Sequence, residues 1–181
     1  MASLPGRKIL LGVSGSVAAY KAPDVARRLI DAGAEVRAVI TAGGRKFLPA
    51  LTLTAVTGRP TATDAFDLSD GSMPHLELAR WADAVLVAPA SANALARFAA
   101  GAADDLLSAI LLVTRAPVFL APAMHEPMWT HPATRRNVAT LTADGRRFLG
   151  PVDGALASGD RGAGRLMEPA DLVRELGKAL A

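Results

Sequence analysis

Much of the chemistry available to this 181-residue sequence rests on three histidines, a complete absence of cysteine, and one glycine-rich stretch carrying two arginines. That stretch is "LASGDRGAGRLMEP", residues 156 to 169. Its glycines and its lack of β-branched residues let the backbone adopt positive φ and approach a ligand closely, while Arg161 and Arg165 bring charge to the same place. Ser158 and Gly159 stand at its mouth. A second grouping, "APAMHEPMWTHP" (121 to 132), crowds Met124, His125, Met128, Trp129 and His131 together. Met128 and Trp129 are expected to be core packing, and His131, just ahead of Pro132, reads as a helix-start residue. His125 can donate or accept a hydrogen bond, and His75, before "LELARWAD", reads as the opening of a short helix. His125 and His131 are six apart and would fall on different faces of a helix, so no metal site is expected. Without cysteine there is no disulfide, thiolate metal site or thiol nucleophile, and redox chemistry must come from a cofactor or a substrate.

The elements that must position these residues follow from periodicity. "RKILLGV" (7 to 13) is a short apolar strand ended by a Gly/Ser turn, "AYKAPDVARRLIDAG" (19 to 33) has helical spacing and a glycine stop, and "AEVRAVIT" (34 to 41) alternates like a strand. Together they make a β-α-β unit with a right-handed crossover. Further strands are expected at 83 to 90, 116 to 124 and 146 to 150. Helices are expected at 91 to 113, with a break near Gly101, at 131 to 145, and at 169 to 181. Between 45 and 75, "FLPALTLTAVTGRP" reads as helix and the rest as loop; residues 154 to 168 read as a loop as well. This alternation predicts an α/β single-domain, Rossmann-like, doubly wound parallel sheet over residues 1 to 181.

In such sheets ligands bind beyond the carboxyl ends of the strands. After the first strand, Gly15, Ser16 and Val17 enter a helix whose free N–H groups suit a phosphate, although neither a G-x-G-x-x-G nor a P-loop pattern is present. Thr41 follows the second strand. Ser91, Ala92 and Asn93 follow the next; capping accounts for Ser91, but the run of small polar residues better suits a flat cofactor lying across these turns.

Composition narrows the classes. A hydrophobic share of 51% is ample for one core. A net charge of +3 with scattered arginines and only 4% aromatics is a weak footprint for nucleic acid and better fits a mixed solvated surface. The N-terminal "ILLGV" is too short for a secretory segment, and "LLSAILLVTRAPVFLAPAM" is interrupted by Arg115 and two prolines before it reaches the roughly 20 residues of a membrane span. A cytoplasmic protein with no membrane or nucleic-acid partner is the expectation.

Four stretches, "GVSGSVAAYK", "APASANALARFAAGAADDLL", "APAMHEPMWTHPATRRNV" and "GALASGDRGAGRLMEP", resemble in order and spacing the homo-oligomeric flavin-containing cysteine decarboxylases. The resemblance implies FMN, rather than FAD, with Gly15, Ser16, Val17 and Thr41 near its phosphate and Ser91, Ala92, Asn93 and Ala123 along the flavin. It implies that His75 is catalytic, working in a trimer or an assembly of trimers on a flavin held largely by a neighbouring subunit. It also implies that residues of about 154 to 168 form a substrate clamp, with Met124, His125, Ser158, Gly159 and Arg165 facing a cysteine-bearing substrate. FMN would supply the electron sink that a cysteine carboxylate lacks: a hydride leaves the β-carbon, and the electrons released with CO2 flow into the resulting C=S bond.

The sequence departs from the family at two positions. Asparagine is usual where His125 stands, and the coenzyme A members carry cysteine where Ser158 stands, a thiol that assists reduction of the enethiolate. A serine hydroxyl is a poor proton donor in its place. The expected function is therefore oxidative decarboxylation of the C-terminal cysteine of a peptide to an enethiol, and the sequence's end soon after the clamp agrees with a free-standing enzyme of that kind. The alternatives are decarboxylation of phosphopantothenoylcysteine in coenzyme A synthesis and, from another class, a flavin-binding regulatory subunit with reduced catalysis.

Overall fold

The computed structural model describes residues 3–67, 71–155 and 159–181. Its central sheet is formed by β1 (Lys8–Val13), β2 (Glu35–Ile40), β3 (Ala84–Ala90), β4 (Val118–Pro122) and β5 (Arg147–Phe148), in the spatial order β2-β1-β3-β4-β5 and parallel throughout. β3 and β4 are buried at every residue, as expected for strands covered by helices on both faces. Period-two alternation sorts β1 between two cores. Ile9, Leu11 and Val13 pack with Val25, Leu29, Leu172 and Leu176, whereas Leu10 packs with Leu78, Leu107 and Ile110. The first set lies under α1 (Ala22–Asp31), α2 (Ala50–Thr57) and α8 (Pro169–Leu180). The second lies under α3 (Pro74–Trp81), α4 (Ala92–Ala99), α5 (Leu106–Val113) and α7 (Pro132–Ala143). The strand order reverses between β1 and β3, which makes that crevice the place for a ligand.

The expected strands and helices are present, with differences that have local causes. The segment 91 to 113 divides into α4 and α5 because Gly101 turns left-handed at φ 66°. Asp105 then restarts the helix with a capping box to Ser108, and Arg97 reaches across to Asp104 and Asp105 at 2.6 and 2.7 Å. Much of the "ARFAAGAADDLL" run is thus spent on joining two helices. His75 does open a short helix, and His131 does cap α7, its Nδ1 accepting from the Ala133 amide.

Two expectations need correction. Residues 154 to 168 are not simply a loop: β6 (Val152–Ala155) and β7 (Arg161–Arg165) pair as an antiparallel ribbon. Met128 is not core; it is 49% exposed on α6 (Glu126–Thr130), a five-residue helix with no buried residue. Trp129 packs against the second core as expected, with Arg135 stacked over its ring. Among the described residues no helix is long and apolar enough to cross a membrane.

Candidate active site

The crevice between β1 and β3 is fastened by a residue that sequence reasoning passed over. Ser14 is 1% exposed; its Oγ donates to the Pro89 carbonyl at 2.8 Å and accepts from the Ser91 amide at 2.9 Å. One hydroxyl therefore joins the turns after β1 and β3, and the only sequence signal was a serine directly following a buried strand. Gly15 lies so close to Gly43 that a Cβ on it would sit 3.1 Å from Gly43 backbone, which draws the turns after β1 and β2 together. Thr41 Oγ1 accepts from the Gly44 amide, fixing the second turn. Ser91 Oγ accepts from the Ala94 amide as the cap of α4, leaving Ala92 partly buried and Asn93 exposed at the same end of the sheet. Small side chains, hydroxyls and the N-terminal amides of α4 thus meet where the strand order reverses. This donor set fits the phosphate and flat ring system of FMN.

Beside it lies a cavity of about 380 Å³. Its walls come from three places. The 3-10 turn Val17–Lys21 and its cap give Ser16, Val17, Tyr20 and Lys21; the end of β4 gives Ala123, Met124 and His125; the ribbon gives Ala155, Gly164 and Arg165. The ribbon is held on the end of β4 by the Met124 amide, which donates to the Gly164 carbonyl at 2.9 Å. Gly164 has φ 137°, and a Cβ there would fall 2.3 Å from Met124 O, so only glycine allows this contact.

The charges around the cavity are ordered. Lys21 Nζ donates to both carboxylate oxygens of Glu168, at 3.0 and 3.1 Å, and Arg165 pairs with the same carboxylate. His125 Nε2 lies 3.0 Å from Asp160 Oδ2. A carboxylate only accepts, so that nitrogen carries the proton between them. Lys21, Tyr20, Glu168 and Asp160 were not singled out from the sequence; Lys21 and Glu168 are 147 positions apart, and no local pattern announces such a pair.

The structure brings Ser16, Val17, Ala123, Met124, His125 and Arg165 around one cavity, with Gly15, Thr41, Ser91, Ala92 and Asn93 along the adjoining strand ends. Gly159 is exposed near the tip of the ribbon, and Ser158 lies outside the described residues. His75 is partly buried at the start of α3 and is not part of this cavity's wall. Among the described residues no group of acidic and histidine side chains could hold a metal ion.

The model of the Flavoprotein family matches residues 2–180. The Coenzyme A biosynthesis bifunctional protein CoaBC of Vibrio vulnificus is 48% identical over 174 residues, covering 96% of this chain and 43% of that protein. Its Mycobacterium tuberculosis counterpart is 49% identical over 167 residues, 92% of this chain and 40% of that one. The chain thus spans less than half the length of these relatives. A PPC decarboxylase variant complexed with pantothenoylaminoethenethiol superposes with a TM-score of 0.87 at 34% identity, covering 97% of this chain and 98% of the other. The FMN-dependent cysteine decarboxylase SpaF gives 0.83 at 35%, covering 99% and 100%. A match along almost the whole chain, in a fold whose strand-order reversal carries the small polar turns described above, makes this protein a member of the Flavoprotein family.

Proposed function

We propose that the protein is an FMN-dependent decarboxylase whose substrate is phosphopantothenoylcysteine. The observation that carries this reading is the 48% identity to coenzyme A biosynthesis proteins across 96% of the chain, which favours that substrate over a maturing peptide. When bound, FMN supplies the electron sink that lets a cysteine carboxylate leave as CO2. The residues of this chain do the rest. Gly15, Ser16, Val17 and Thr41 hold the phosphate end, and Ser91, Ala92, Asn93 and Ala123 line the ring. Lys21 and Arg165 hold the anionic substrate in the cavity, and His125 presents a hydrogen-bonding imidazole to it. His75 takes the thiol proton as general base. Because His75 stands apart from the cavity of its own chain, it serves the site of a neighbouring copy, and the enzyme works as a homo-oligomer in the cytoplasm.

Peptide decarboxylation to an enethiol is the second reading, favoured by Ser158 where a reducing cysteine is expected, and by the likeness to SpaF. The two separate on specificity. The first predicts kcat/KM for phosphopantothenoylcysteine at least about 100-fold above that for a short peptide ending in cysteine, because a substrate without the anion leaves buried polar groups of the site unpaired. The reverse preference selects the second reading. Flavin binding with no turnover of either substrate selects a regulatory subunit.

A further inference from the structure

We infer that Glu168 is a positioning residue, which aims Lys21 and Arg165 at an anionic group of the substrate. The inference rests on the reading of the cavity as the substrate site. Glu168 is the residue preceding α8, yet its side chain makes no capping bond to that helix. Its carboxylate is spent instead on two cations that both line the cavity: Lys21 at the end of the turn after β1, and Arg165 at the end of β7.

The geometry is unequal in a telling way. The Lys21 side chain is 13% exposed, whereas that of Glu168 is 46% exposed and that of Arg165 is 37% exposed. A mostly buried lysine side chain with a flexible four-carbon stem needs a fixed acceptor for its ammonium, and Glu168 provides both oxygens from outside the cavity. Its Oε1 is shared by the two cations, so one carboxylate holds Lys21 and Arg165 side by side against their mutual repulsion. An ammonium so held offers its remaining N–H to the cavity, and the guanidinium still has unspent donors. Lys21, Arg165 and Glu168 together carry one net positive charge, while the Asp160 carboxylate is engaged by His125, so the two cations suit a carboxylate or phosphate. The same carboxylate joins three segments, the first turn, the ribbon and α8, so substrate contact and ribbon position are set by one group.

The test uses the FMN-loaded protein and the variants E168Q and E168D. The first readout is acylation of Lys21 by a limiting dose of acetic anhydride, measured by peptide mass spectrometry relative to the exposed Lys46. The second is the split between KM and kcat for phosphopantothenoylcysteine and for its dephosphorylated form. In E168Q, Lys21 acylation is expected to rise about tenfold, and KM to rise about tenfold with kcat within about threefold, as for loss of charge-assisted ground-state binding. E168D is expected to restore most of both, with FMN content unchanged throughout. A rise in KM for the phosphorylated substrate alone identifies phosphate as the anion held; a rise for both identifies the carboxylate.

Unchanged acylation or unchanged KM in E168Q overturns the inference. So does a loss of FMN and of folded protein that E168D fails to rescue, because Glu168 would then be structural only. Should the unmodified protein turn over neither substrate, the proposed function falls by itself. The inference is then decided by whether inorganic phosphate slows Lys21 acylation in the unmodified protein but not in E168Q.

Discussion

Ser14 shows how much one small side chain can hold. Its hydroxyl satisfies the Ser91 amide and donates to the Pro89 carbonyl inside the crevice where the flavin is proposed to bind. Replacing it with alanine leaves a buried amide without its acceptor, and about 1 to 3 kcal/mol of stability is expected to go with it. Denaturant unfolding of S14A should show that loss, accompanied by weaker FMN binding because the turns after β1 and β3 separate. Unchanged unfolding would mean that water or the backbone replaces the hydroxyl without cost. At this scale the sequence was legible for residues whose role is local. His131 and Ser91 act as caps within three positions of themselves; capping chemistry predicted Ser91, and the proline that follows His131 marked the helix start. Ser14 and Lys21 depend on partners at least 75 positions away, and neither type nor spacing could announce them.

The elements that were easy to foresee are those whose burial writes itself into the sequence. β3 and β4 are apolar without interruption because helices cover both faces, and α4 and α5 separate at a glycine followed by a capping aspartate. The β6–β7 ribbon carries no such mark. Glycine is a poor strand former, and no alternation of apolar and polar residues betrays the pairing. Its glycines serve contact instead: Gly164 lets the ribbon rest on the Met124 carbonyl at the end of β4. Ala substituted at Gly164 must move the ribbon or the strand end. G164A is therefore expected to raise KM at least about tenfold, while FMN content and melting temperature stay near those of the parent, since the central sheet is untouched. Steady-state kinetics beside a flavin titration would check this. A parallel loss of flavin would instead tie the ribbon to the cofactor.

For the whole molecule, the doubly wound order β2-β1-β3-β4-β5 gathers residues from both ends of the chain at one crevice, which a β-α-β reading of the first forty residues already anticipated. The same topology leaves His75 on α3 outside the cavity wall, with Phe66 and Met73 nearby in sequence and 87% and 55% exposed. The proposed homo-oligomer has a direct consequence. H75N and G15V, each inactive alone, are expected to regain a fraction of activity when mixed under conditions that exchange subunits, because a sound His75 can meet a sound flavin site on another copy. Absence of any recovery despite proven exchange would place His75 and the flavin within one chain.

The claim that the protein decarboxylates phosphopantothenoylcysteine is met most directly by product mass. The FMN-loaded protein is incubated with that substrate without oxygen while flavin absorbance is followed. The predicted product is lighter by about 44 Da, the mass of CO2, with the flavin returning to its oxidised form, the proton for the reductive step coming from solvent or a group other than Ser158. A product lighter by about 46 Da with the flavin left bleached would show an enzyme that stops at the enethiol, and no change in substrate mass would contradict the decarboxylase reading outright.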